Sequence, residues 1–430
     1  MGVRDFLNSQ ELRNALSGSL GLKATAVFIG VCNSILLAKL LGVTYYGVYV
    51  LILSSAQLAL VPVTFGLPVL ITRYFAAYQA KDDYGGMKGL FLRAHGFFLA
   101  MILLLALVLV LSVWLGIIPE DLKRLTVIGW LLVLVLGLNV LRGAAIRGLR
   151  YVVLGLLPEL LIRNVLLLAA LLTTLLLGYK MEPATALKLN LVCMTIAFVV
   201  GFVILKAKVG KQWKAIKARA PEPGWWKASL SYGSIAGVQQ LKSKSPSFFL
   251  YFIMGLDAVA VFDVAMKASG LVSQLVDSVH AGLAPFISRF YMQKDITGLN
   301  RIIRKTVKFN TALSLPLFLI VALGGAWLLD LFFDPPFAVA YWPMVVLCMG
   351  SFYYAISGPV TPILNMTGHQ LYLLRSQLVF TFLLLIVLAP LIIWQGVLGA
   401  ALAYALIWIL QNSSLMLHIR SALGIKSSWF

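Results

Sequence analysis

The residues best suited to chemistry in this chain lie where charge is least welcome, inside long apolar stretches. One run reads Gln239–Gln240–Leu241–Lys242–Ser243–Lys244–Ser245–Pro246–Ser247, and a second stretch carries Asp263, Lys267, Gly270, Gln274, Asp277 and Ala281 at helical spacing, with His280 beside them. That spacing puts the second set on one helix face. Glu159 and Arg163 share a stretch in the first half, and Tyr354, Ser357, Thr361 and Asn365 align beside Pro359 and Pro362 in the second. A charge at mid-bilayer costs roughly 2.5–3.5 kcal/mol on insertion scales, so it normally meets a partner or a wet cavity.

The balance of these charges points to an anion. Arg163, Lys242, Lys244 and Lys267 stand against Glu159, Asp263 and Asp277. Glu159–Arg163 and Asp263–Lys267 are i,i+4 and can pair along their own helices, which leaves Lys242 and Lys244 in excess. Pro246 should break the helix near Lys242, and broken helices at that depth are tolerated where they line a cavity. The two lysines point to different faces, so one of them reaches a lumen, or both snorkel to a surface. Gln239, Gln274, Asp277, Tyr354 and Asn365 complete the candidate binding set; hydroxyls and amides of this kind suit sugar, and serve equally as glue between helices. Asp263, His280 and Glu159 are candidates for binding a coupling proton, His280 because its ring titrates near neutrality, although a lone histidine is more often structural.

Other chemistries find no footing. Val209–Gly210–Lys211 lacks the glycine, strand and hydroxyl of a phosphate-binding loop, so ATP is not expected. There is no H-E-x-x-H and no G-x-S-x-G. Cys32, Cys193 and Cys348 lie within apolar stretches without metal spacing and read as small core residues. Neither an enzyme nor a metal or organic cofactor is implied, and only proton or sodium coupling remains open.

The elements that must carry these residues are membrane helices. Of 430 residues, 61% are hydrophobic and 12% charged, a composition that a lipid-embedded bundle can hold and a water-soluble surface cannot. Twelve stretches approach the roughly 20 apolar residues of a span: 17–40, 46–70, 90–115, 125–145, 152–178, 184–206, 229–254, 258–289, 306–330, 340–366, 371–394 and 397–419. The eighth is too long to stand upright and should tilt, kink or extend beyond the bilayer. Pro62, Gly66 and Pro68 should bend the second and offer a gate its hinge. No cleavable signal is evident before the first.

Orientation follows from the 35 Lys and Arg residues. Four (Arg163, Lys242, Lys244, Lys267) lie deep inside stretches and five (Lys39, Lys123, Arg124, Lys180, Lys188) at odd gaps; the rest lie in or beside the even gaps and the ends. Basic loops stay cytoplasmic, so both termini are expected inside a cell (inner or plasma) membrane. The net charge of +20 follows the same loops and addresses anionic headgroups rather than nucleic acid. The longest basic run, Lys206 to Lys227, spans the linker 207–228, where Pro221–Glu222–Pro223–Gly224 and Trp225–Trp226 mark a boundary. It divides a six-helix lobe at 1–206 from another at 229–430. The halves echo one another at an offset of 213, matching Gly42 to Gly255, Val48–Tyr49 to Val261–Phe262, Tyr78 to Tyr291 and Lys81–Asp82 to Lys294–Asp295. Two lobes around a central cavity are the expected result. The external gaps are short, so whatever happens, happens between helices.

The run Leu40–Leu41–Gly42–Val43–Thr44–Tyr45–Tyr46–Gly47–Val48–Tyr49, then Phe65–Gly66–Leu67–Pro68 and Arg73–Tyr74–Phe75, resembles the polysaccharide (O-antigen type) flippases of the multidrug/oligosaccharidyl-lipid/polysaccharide superfamily. A second-half counterpart runs from Phe262 through Lys267 to Pro285, Arg289 and Tyr291. The resemblance covers most of the chain through loose apolar patterns. It implies twelve helices, a cationic cavity and a polyprenyl-diphosphate-linked oligosaccharide carried from inner to outer leaflet, with membrane lipids and polysaccharide polymerase machinery as partners. Lys242, Lys244, Lys267 and Arg163 are the positions onto which the diphosphate-binding role transfers. Multidrug extruders share the architecture but use buried N-terminal carboxylates, where this chain has Glu159 alone. Lipid II flippases typically carry two further helices, and a membrane glycosyltransferase or ligase would need a larger external loop.

Overall fold

The computed structural model describes residues 10–116, 120–220 and 224–425, and every regular element among them is helical. The elements are α1 (Gln10–Thr64), α2 (Leu67–Ala80), α3 (Tyr84–Trp114), α4 (Glu120–Gly148), α5 (Val152–Leu157), α6 (Arg163–Leu176), α7 (Pro183–Ala215), α8 (Trp225–Met254), α9 (Leu256–Met292), α10 (Ile296–Phe332), α11 (Tyr341–Ser357), α12 (Val360–Met366) and α13 (Gln370–Leu423). A π-turn (Pro158–Ile162) joins α5 to α6 and a 3-10 turn (Pro335–Ala340) leads into α11. α1 is interrupted by Gly42 (φ 73°, ψ 173°) and α13 by Gly396 (φ 60°, ψ −134°), so each comprises two rods. With those divisions the expected twelve membrane helices are present, and the chain is an all-α, multi-pass membrane protein.

Among the described residues, nine stretches are long and apolar enough to cross a bilayer, and α8 is not one of them. The polar run from Gln239 to Ser247 is the reason. α9 is one unbroken helix of 37 residues. The second stretch does bend: α1 ends at Thr64, Phe65 and Gly66 adopt left-handed conformations, and Pro68 opens α2.

Contacts divide the chain into two compact units. The first runs up to Leu36 and from Leu51 to Gln240; the second comprises Leu37–Val50 and the chain from Leu241 onward. The linker is no free tether. Lys206–Ala215 extends α7, and the residues after it are pinned to the start of α3 within the first unit. Arg219 pairs with Asp83, its amide donates to the Gly85 carbonyl at 3.0 Å, and Lys88 Nζ caps the carbonyls of Trp213 (2.6 Å) and Ile216 (2.9 Å). Lys208 Nζ sits 4.1 Å from the Tyr151 ring centroid. Pro221, Glu222 and Pro223 lie outside the described residues.

The internal repeat is written in the backbone. Gly42 and Gly255 share an extended, positive-φ conformation that a β-carbon would strain (φ 73° and 93°). Further on, left-handed Asp82 corresponds to left-handed Lys294. Asp83 Oδ1 then caps the Gly86 amide at 2.9 Å as Asp295 Oδ1 caps Gly298 at 2.8 Å. At that turn the equivalence is one residue shorter than the Lys–Asp match suggests. Asp83, not Asp82, is the counterpart of Asp295, because capping geometry rather than residue identity defines the turn.

Candidate functional site: charged clusters within the two units

In the second unit, α9 and the 37–50 segment build a closed polar triangle. Lys267 Nζ lies 2.7 Å from Asp263 Oδ2 and donates to Tyr46 Oη at 2.8 Å, while Tyr46 donates to Asp263 Oδ2 at 2.7 Å. The i,i+4 spacing supplies the pair. Tyr46, fully buried between Tyr49 and Phe337, supplies the rigid third corner. Thr44 seats the same segment on α9, donating to Asp257 Oδ1 at 2.6 Å. Lys267 is therefore paired along its own helix, as the i,i+4 spacing led one to expect.

The two α8 lysines differ. Lys242 donates to the Gln411 side-chain oxygen on α13, a neutral partner. Among the described residues Lys244 has no hydrogen bond or ion pair, and the charges that act on it are those of Asp263 and Lys267. Both lysines are half-buried. The expected break at Pro246 is absent: α8 runs continuously from Trp225 to Met254. Proline removes the amide that would bond the carbonyl four residues back, here Lys242, and Ser245 Oγ reaches that carbonyl at 3.4 Å. Ser245→Ala should therefore lower stability by about 1 kcal/mol, read as a drop in the unfolding midpoint of the purified protein.

A second chain of polar groups crosses α9, α10 and α11. Tyr354 Oη donates to Asp277 Oδ1 at 2.6 Å and lies 3.2 Å from His280 Nδ1; His280 Nε2 lies 3.0 Å from Asn310 Nδ2. Asp277 and Gln274 are exposed, whereas His280 (3% accessible) and Asn310 (0%) are enclosed. The Trp408 ring of α13 stacks on Tyr354 with centroids 5.4 Å apart. Tyr354 thus faces this network rather than presenting an open hydroxyl. Asn365 is exposed in α12, and Gln239 is exposed in the part of α8 that belongs to the first unit.

In the first unit the expected Glu159–Arg163 pair does not form. Both residues touch the π-turn, where the Arg163 amide bonds the Pro158 carbonyl five residues back, and the wider turn rephases the side chains. Arg163 Nε instead donates to Asn190 Oδ1 at 3.3 Å, and the field of Glu159 acts on Arg142 and Arg147. Arg142 escapes a sequence reading altogether. It is 1% exposed, bonds only the Ala197 carbonyl (2.9 Å through Nη1), and leaves Nε and Nη2 buried without partners. Gly201 makes room for it, since a β-carbon there would overlap the guanidinium. Counted along the chain, Arg142 is one more base at a helix end. Among the described residues no cluster of His, Cys, Asp or Glu could hold a metal.

The MatE family model matches residues 246–391, about a third of the chain. No curated protein matches. Among solved structures, an inward-facing multidrug resistance MATE transporter of the MOP superfamily superposes with a TM-score of 0.72 at 14% identity, covering 93% of this chain and 94% of that one. The lipid II flippase MurJ, in an inward closed conformation, gives 0.71 at 16%, covering 92% and 86%. A MOP-superfamily transporter from Pyrococcus furiosus, described as having a binding pocket of reverse polarity that suggests a different function, gives 0.65 at 15%, covering 96% and 97%. Identities this low speak for architecture alone: the chain shares the all-helical fold of these transporters.

Proposed function

We propose that the chain is a transporter that moves an anionic polyprenyl-diphosphate-linked oligosaccharide from the inner to the outer leaflet of the cell membrane by alternating access, with both termini cytoplasmic. The observation that carries this reading is the pair of α8 lysines. Among the described residues Lys242 and Lys244 stand at half-buried positions without a carboxylate partner, while Asp263 is occupied by Lys267 and Tyr46. Burying ammonium groups is costly unless something compensates them, and a diphosphate supplies charge-assisted hydrogen bonds that do so. Exposed Gln274 and Asn365 can meet the glycan. The Pyrococcus furiosus relative supports the reading in kind, as a MOP-superfamily transporter described as having a reversed pocket polarity.

The test is reconstitution with a labelled polyprenyl-diphosphate sugar. Lys242→Ala and Lys244→Ala together should slow translocation at least about tenfold, equivalent to about 1.4 kcal/mol. Lys267→Ala should slow it less, because that ammonium is already neutralised. Rates equal to wild type in the double variant would remove the anion reading. A lipid II flippase is the nearest rival, favoured by the MurJ superposition, and lipid II in the same vesicles separates the two. A multidrug extruder needs a free carboxylate for its cation, and Glu159 lies within the field of two arginines.

A further inference from the structure

The network around His280 can be resolved proton by proton. A carboxylate only accepts hydrogen bonds, so the Tyr354 hydroxyl spends its single proton on Asp277 Oδ1 (2.6 Å). The 3.2 Å contact with His280 Nδ1 must then be a donation from the ring. A neutral imidazole has one N–H, which leaves Nε2 bare to accept from Asn310 Nδ2 at 3.0 Å. Asn310 Oδ1 is left over, buried and without a partner. Nothing but Nε2 itself therefore fixes which edge of the amide faces the ring.

We propose that His280 is a proton-binding site, with Asn310 as a reversible partner and Asp277, reached through Tyr354, as its counter-charge. One proton from solvent adds to Nε2 and no covalent bond breaks. The Asn310 amide turns half a revolution and presents Oδ1 to the new N–H, at almost no change in shape. The Nδ1–H···Oη–H···carboxylate chain stays intact, so the imidazolium keeps a hydrogen bond at both nitrogens and an anion two bonds away. A buried histidine held by a fixed donor would lose a partner on protonation; this one does not.

Among the described residues few groups face the ring. α9 contributes the Asp277 carboxylate and α11 the Tyr354 hydroxyl. α10 contributes the Asn310 amide, and α13 the Trp408 ring on Tyr354, neither of which titrates. Val276, Ala355 and Trp408 pack around Tyr354, while Asp277 stays exposed. On α9 the counter-charge Asp277 lies 14 residues beyond Asp263, about 21 Å along the helix. Use of the proton as an energy input rests on the transport reading; its binding does not.

The test is nitrogen-15 NMR of ring-labelled protein in nanodiscs, titrated between about pH 8 and pH 4, with the His280 signals assigned by their loss in His280→Gln. The expected result at the alkaline end is the Nδ1–H tautomer, with both nitrogens protonated on acidification. In Asn310→Asp, a permanent acceptor should hold the ring doubly protonated at least about one pH unit further toward neutrality. An Nε2–H tautomer in the wild type would overturn the assignment, as would a ring that stays neutral in both wild type and Asn310→Asp. The readout involves no cargo, so its failure leaves the transport reading standing, and a failed flux assay leaves the proton site standing.

Discussion

Gly201→Ala should destabilise the protein by about 1–3 kcal/mol, and Arg142→Met should largely erase that penalty. A β-carbon at position 201 occupies the space of the Arg142 guanidinium, whose single hydrogen bond to the Ala197 carbonyl would be lost. Overpacking a filled core costs typically 1–3 kcal/mol, and a buried cation deprived of its partner adds to that. Arg142 already carries two buried donors without acceptors, so replacing it by methionine, similar in length and uncharged, should be neutral or stabilising by about 1–4 kcal/mol. Unfolding midpoints of the two single variants and the double variant form a thermodynamic cycle. Strong positive coupling is expected. Equal damage from Gly201→Ala with and without Arg142 would show that the arginine is not what the glycine accommodates.

Gly47→Ala is the second large effect. Its β-carbon would meet the Leu256 carbonyl and come within 3.2 Å of the Leu256 β-carbon, so backbone rather than a yielding side chain stands in the way. Relief requires the 37–50 segment to lift from α9. Thr44–Asp257 and Tyr46–Asp263 sit on the same seat and would lengthen together. A loss of about 3 kcal/mol is expected from the overlap alone. Gly30→Ala is the control: nothing lies within 4 Å of a β-carbon there, and the helix should gain up to about 1 kcal/mol. Comparable midpoints for the two variants would contradict the close approach.

The twelve helices were legible because lipid solvation demands long apolar runs, and the boundary glycines because no other residue suits their backbone. The site was legible only where partners are close in sequence. Asp263–Lys267 follows from helical spacing, but Tyr46, the third member, lies 217 residues from Asp263. Gln411 is 169 residues from Lys242. Glu159–Arg163 has the same spacing as Asp263–Lys267 and fails, because Pro158 opens a π-turn that periodicity alone does not reveal. Pro246 misleads in the opposite sense, since Ser245 next to it repairs the break. Arg142 was invisible because a base at a helix end reads as solvated until a neighbouring glycine is seen to enclose it.

The polar run in α8 also bears on how the protein is made. A translocon weighs each segment as it leaves the ribosome, and two central lysines add roughly 5–7 kcal/mol to the cost of release into lipid. Alone, α8 is a poor membrane passenger. Its lysines meet the Asp263 charge and the Gln411 amide only once α9 and α13 have been made, so retention of α8 in the channel until then is the expected result, checked by crosslinking stalled chains of increasing length.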